Sequence, residues 1–407
     1  MKTTSTLSKL SAVAIGLLLF SSCSKKEDLT PTNLDIDRKN DAQAQVINQS
    51  EINTNTVWED KVNGVDYMVS GTLQINAGLT IKPGVTIMFE DGAGLQVNEE
   101  GSISAIGASG NEIYFTSKSG KRSAWKGITI LSNNAKNVIS YCKVEHGGAT
   151  NSFGAGNIIL GSGANTAEAE VSFSDITASG SDGIVISEGS KVHNFTGNNL
   201  HTNSAFPVNM HLTDAYQMSD MNQFSNNGKE FIKVSGNGEN VIAKQITLAK
   251  LNESFLISGK VTAGNKFTIA AGSRVMMDAN AEVVIDGASG NGAFVAIGTQ
   301  SQPISISAIY NGTGIWNTIR FRSSNSNDNR IEYCNISGGG LNTGSADGMI
   351  SVVNDNGGSS NIVIRNSNIM NSAAIGIYIQ SANSEYNSDI ISGNVFSNNV
   401  KGNVHIE

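Results

Sequence analysis

Residues 125–148 read WKGITILSNNAKNVISYCKVEHGG, and residues 316–340 read WNTIRFRSSNSNDNRIEYCNISGGG. These are two copies of one pattern. Trp125 and Trp316 stand 191 residues apart, and Tyr141-Cys142 and Tyr333-Cys334 stand 192 apart. Each copy holds short runs of alternating apolar and polar residues, such as Ile128-Thr129-Ile130 and Ile319-Arg320-Phe321, separated by Asn, Ser and Gly. A period of two with that punctuation reads as strand, turn, strand; no helical period of 3.6 appears.

The correspondence extends outward from this stretch. Gly71 matches Gly259 and Gly84 matches Gly272 at a separation of 188, and Gly183-Ile184 matches Gly376-Ile377 at 193. Phe224-Ser225-Asn226-Asn227 matches Phe396-Ser397-Asn398-Asn399 at only 172, so the second copy is shorter by 21 residues. That is about one coil of a parallel β-helix, whose coils stack roughly 4.8 Å apart and can be lost whole without loss of register. A β-sandwich losing such a piece would expose an edge or invert its alternation. The fold class expected is therefore all-β, a parallel β-helix solenoid with two internal repeats of several coils each. Repeat one covers residues 56–247, and repeat two, continuous with it, covers 248–407. Trp125 and Trp316 are expected at the same corner of the cross-section, and Ile87, Val97, Ile285 and Ile297 in the interior. Cys142 and Cys334 are expected about eight or nine coils, roughly 40 Å, apart and unbonded.

Only 15% of the 407 residues are charged, against roughly 25% in common soluble domains. Gly 44 with Pro 4 suits tight turns between laddered strands, where proline would remove a donor. The net charge of −8 argues against a nucleic-acid or anionic-membrane partner, since neither attracts an acidic chain, and no nucleic-acid partner is expected.

At the N-terminus a basic stretch from Lys2 to Lys9, an apolar core from Leu10 to Phe20 and a small-residue stop make a secretory signal over 1–22, too short to span a bilayer. The stop, Phe20-Ser21-Ser22-Cys23, resembles a bacterial lipobox, which implies that Cys23 is lipidated. Residues 23–55 are polar and nearly free of aromatics, as in a flexible tether. Within them Lys26-Glu27-Asp28 resembles the lysine-plus-acidic signal that sends lipoproteins to the outer face of the outer membrane.

LTIKPGVTIMF at 79–89, the W-x-G-I at 125–128 and NVISYCKVEHGG at 137–148 together resemble the right-handed parallel β-helix lipoproteins of Bacteroidetes. The resemblance covers the chain from about Val57 onward, twice over. It implies a right-handed solenoid on a lipid anchor at the cell surface and assigns no activity, because this fold hosts lyases, hydrolases, adhesins and spacers alike.

A lyase on this fold needs carboxylates around Ca²⁺ with a basic residue, and a hydrolase needs two facing carboxylates. The acidic pairs Glu59-Asp60, Glu90-Asp91 and Glu99-Glu100 read instead as solvated corners, because strand neighbours point to opposite faces. The catalytic candidates are Glu145 and His146, leaving a strand at a glycine turn. Arg320 and Arg322 flank an inward Phe321 and form, with Glu332 on the next strand, a candidate ligand-binding patch. His193, His201 and His211 read as solvated loop residues, and the recurrent Asn, including Asn198, Asn199, Asn226 and Asn227, as left-handed turns and stacked amide ladders. No cofactor and no metal site is expected. The expected function is that of an outer-membrane, surface-exposed lipoprotein whose non-catalytic β-helix binds polysaccharide or a cell-surface protein. The alternative is a polysaccharide lyase or glycoside hydrolase on the same fold.

Overall fold

The computed structural model describes residues 40–288, 290–341, 347–354 and 357–407. Cys23, the signal segment and the export signal lie outside them. The described chain is a right-handed parallel β-helix, whose strands of two to six residues pair in parallel with those one coil away, as Ile128 with Ile158 and Gln45 with Tyr67. A fourteen-stranded sheet runs the length of the solenoid, from Glu51–Ile52 to Val395–Ser397. In the first half it is flanked by an eight-stranded sheet (Gln45–Ile47 to Gln223–Ser225) and a six-stranded sheet (Thr56–Trp58 to Lys191–Thr196). A seven-stranded sheet (Val241–Ile242 to Val404–Ile406) and a second six-stranded sheet (Ile246–Leu248 to Ser384–Tyr386) flank it in the second half.

Alternation explains the core. In Thr72–Ile75, Leu73 and Ile75 are buried while Thr72 and Gln74 face outward, and the same period stacks aliphatic residues into one continuous interior. Each such burial contributes about 1.5–3 kcal/mol before conformational entropy is set against it. Aromatic residues stack at the corners, with Phe89 and Trp125 ring centroids 4.0 Å apart and Trp58 and Tyr67 4.6 Å apart.

The two copies do not occupy equivalent sheets. Cys142–Glu145 lies in the eight-stranded sheet, but its counterpart Cys334–Ser337 lies in the fourteen-stranded one. Ile128–Ile130 lies in the fourteen-stranded sheet, and its counterpart Ile319–Arg322 in the seven-stranded one. Repeat two is thus turned by one face about the solenoid axis. Trp125 and Trp316 accordingly sit at different corners of the cross-section, contrary to expectation. Their local surroundings agree, each being wholly buried with its indole Nε1 donating to a carbonyl of the next coil: Glu145 O at 2.8 Å and Ser337 O at 2.9 Å.

The turn happens at a seam. There the 3-10 helix Leu212–Gln217 packs against Lys191–Thr196 and Ile246–Leu248, while the eight-stranded sheet ends and the seven-stranded one begins. Gln217 Oε1 accepts the Val192 N–H at 2.6 Å, so the helix satisfies the strand edge that it covers.

Three further expectations are corrected. Gln45–Ile47 and Glu51–Ile52, inside the span assigned to the tether, form strands because Ile47 and Ile52 reach the core. Ile297 is 37% exposed, since Ala296 is inside and a period of two sends its neighbour out; Ile106 behaves likewise. Cys142 and Cys334 stand in the fifth and twelfth layers, seven apart rather than eight or nine, or roughly 34 Å. Both are free and buried.

Candidate functional site

The sequence candidates fall on three different sheets. Arg320 and Arg322 project from the seven-stranded sheet, whereas Glu332 belongs to the second six-stranded sheet, where it pairs with Arg330. The three do not form one patch, because alternation puts all of them outward but on two faces.

The arginines are also engaged. Glu239, Lys260, Glu282, Arg320 and Asp347 make a ladder of alternating charge along successive coils, with closest approaches of 2.8, 3.5, 3.8 and 2.8 Å. Arg322 pairs at 3.1 Å with Asp286, whose side chain is wholly buried.

Glu145 and His146 do come together, on the outer face of the eight-stranded sheet. Glu145 Oε1 accepts from Thr116 Oγ1 at 2.7 Å and lies 3.7 Å from His146 Nδ1, and its Oε2 meets Lys143 Nζ at 3.2 Å. Burial raises the Glu145 pKa, but the Lys143 charge, the Thr116 hydrogen bond and His146 outweigh it and hold the carboxyl below its ordinary range. A carboxylate held ionised is poorly suited to donate a proton near neutrality.

His193, His201 and His211 are not loop residues. His193 and His201 sit on strands, His193 beside Glu168 at 3.1 Å and His201 beside Asp175 at 2.8 Å. His211 is buried, and its Nδ1 accepts the Thr213 N–H at 3.3 Å to cap the 3-10 helix. Among the described residues no group of three or more His, Cys, Asp or Glu is placed to hold a metal ion.

The same sheet carries a groove of about 400 Å³ that the sequence did not announce. Tyr114, Lys143, Asp175 and Asn199, one per coil and in direct register, form its floor, and Phe173 and Glu112 border it. Lys143 joins groove and Glu145 cluster. Asp175 Oδ1 takes the His201 Nε2 contact at 2.8 Å.

Phe173 stands at the corner between the first six-stranded sheet and the eight-stranded one, stacked on Tyr141 with centroids 5.0 Å apart and planes at 14°. Both residues have left-handed backbones, φ 48° and 49°, a conformation costing a bulky L-residue about 1–2 kcal/mol. Phe173 nevertheless remains 47% exposed. In the next coil the same corner holds Gly197, where an added Cβ would lie 2.5 Å from the Phe173 ring. The signal for this residue was available in the copies: at the offset of 193 set by Gly183 and Gly376, Phe173 corresponds to Asn366.

No protein-family model, no curated protein and no solved structure matches this chain.

Proposed function

We propose that this protein is a lipid-anchored, outward-facing outer-membrane protein whose β-helix binds glycan on the outer face of the eight-stranded sheet without turning it over. The observation that carries the binding function is the groove over Tyr114, Lys143, Asp175 and Asn199, an open, polar strip of one side chain per coil. Such a strip offers repeated hydrogen bonds to a polymer laid across the coils. Anchoring is supported by Cys23 directly after a short apolar core and by the polar segment that follows it. The lyase or hydrolase alternative draws no support from Glu145, whose carboxyl is held ionised by its neighbours.

Two measurements test this. Glycan-array binding by the detergent-solubilised chain is expected to be positive, and capture of a cell-surface protein with a blank array would replace the glycan function by protein recognition. Incubation with polysaccharides, with and without Ca²⁺, is expected to give no new reducing ends and no unsaturated-uronate absorbance; either product would make this protein an enzyme.

A further inference from the structure

Duplication supplies an internal control for the groove. The fold asks for a left-handed residue at the corner where Phe173 stands. Repeat two fills it with Asn366, φ 52°, the residue type that tolerates that conformation best after glycine. Repeat one instead places a phenylalanine there and leaves it 47% exposed. The neighbouring ladder differs in the same direction. Where repeat one has Tyr114, Lys143 and Asp175 in register, repeat two has Ser305, Asn335 and Asn368 in register. Both ladders satisfy the same sheet geometry, so the aromatic and charged groups of repeat one are not demanded by folding. Backbone strain kept at an exposed aromatic beside a polar groove is the pattern of a ligand contact.

We infer that Phe173, stacked on Tyr141, is the platform of a subsite for a neutral hexopyranose chain that runs along the solenoid axis over Lys143 and Asp175, a site present in repeat one and absent from repeat two. Tyr141 and Gly197 flank the Phe173 ring from the coils on either side, so the C–H groups of a sugar pack against the ring's solvent-facing edge, while the sugar hydroxyls hydrogen-bond to carboxylate, amide and ammonium groups beside it. Phe173 with Asp175 and Tyr141 with Lys143 come from adjacent coils, spaced roughly 4.8 Å along the axis, so successive rings of the chain meet successive coils. Neutrality follows from charge. Glu112 and Asp175 line the groove, and Lys143 is already paired with Glu145 at 3.2 Å, so a uronate or sulfated polymer meets net repulsion. The inference rests on the glycan function proposed above and deepens it.

The test is isothermal titration of the detergent-solubilised full chain with neutral β-glucan, β-mannan and β-galactan oligosaccharides, and with oligogalacturonate as the anionic arm. It compares wild type, Phe173→Asn and Phe173→Tyr. The expected result is binding of one neutral series, weakened about tenfold or more in Phe173→Asn and kept within about threefold in Phe173→Tyr. The melting temperature of Phe173→Asn is expected to match or exceed wild type, since asparagine relieves the left-handed strain. Unchanged affinity in Phe173→Asn overturns the platform while leaving the glycan function standing. Loss of binding in both variants together with a fall in melting temperature makes Phe173 structural and overturns it as well. Preference for oligogalacturonate overturns the neutral class, and failure of wild type to bind any arm removes the glycan function itself and the subsite with it.

Discussion

The Arg322 guanidinium lies 3.1 Å from the carboxylate of Asp286, a side chain with no exposure to solvent, on the preceding coil. A buried carboxylate stripped of its cation is far more costly than the pair is favourable. Arg322→Ala is therefore expected to destabilise the protein by about 2–3 kcal/mol, less than for a fully buried pair because Arg322 is partly exposed, with part of the loss recovered in the double variant Arg322→Ala/Asp286→Ala. Denaturant unfolding decides it: equal stability of Arg322→Ala and wild type would mean that the pair contributes nothing.

Asn203 gives a second stability expectation. Its Oδ1 accepts the Ser179 N–H at 3.1 Å, and its Nδ2 donates to Ile176 O at 3.1 Å and Asn227 Oδ1 at 3.0 Å, all in buried surroundings. Asn203→Ala leaves these groups without partners and is expected to cost about 1–3 kcal/mol. An unchanged unfolding midpoint would show that the amide ladder is not stabilising.

Glu145 predicts a pH dependence with a definite sign. Its folded pKa is depressed, so the stability it contributes is present above the unfolded value, about 4.3, and is lost as pH falls through the folded value. Glu145→Gln is expected to lower the melting temperature at pH 7, and the gap from wild type is expected to narrow as pH drops below about 4. A gap that widens in acid contradicts the assignment.

The two interior thiols should be inert. Burial pushes Cys142 far above the ordinary thiol range and Cys334 to about 12, which suppresses the reactive thiolate. In a Cys23→Ala variant, a thiol-alkylating reagent is expected to add nothing to the native protein and two adducts after unfolding, read by mass. The same variant is expected to leave the membrane fraction, and its retention there would place the anchor elsewhere.

Much of the fold was legible because it rests on local alternation. The copies at Trp125 and Trp316 announce the solenoid, and the 21-residue deficit appears as one missing coil: two coils separate Gly183 from Phe224, and one separates Gly376 from Phe396. What alternation cannot report is which face a strand joins, because every face has the same period. Hence the one-face turn at Leu212–Gln217 was invisible, Arg320 and Glu332 were placed side by side, and Trp316 was given the corner of Trp125. Asn226 and Asn398 do adopt the left-handed turns, at φ 55° each, while Asn198 and Asn227 are buried in the ladders. Phe173 was missed for a related reason. In the run Val171-Ser172-Phe173-Ser174-Asp175 it reads as one more inward apolar residue, and the left-handed backbone breaks that alternation.

The seam has one more consequence, for valency. Two tandem binding sites raise avidity toward a flat array only when they can be engaged at the same time. Because repeat two is turned by one face, the strip of Ser305, Asn335 and Asn368 looks out from the fourteen-stranded sheet while that of Tyr114, Lys143 and Asp175 looks out from the eight-stranded one. A straight polymer lying on one strip cannot continue onto the other. The duplication therefore gives no second grip on the same strand, and the strip of the second copy carries none of the aromatic and charged groups of the first.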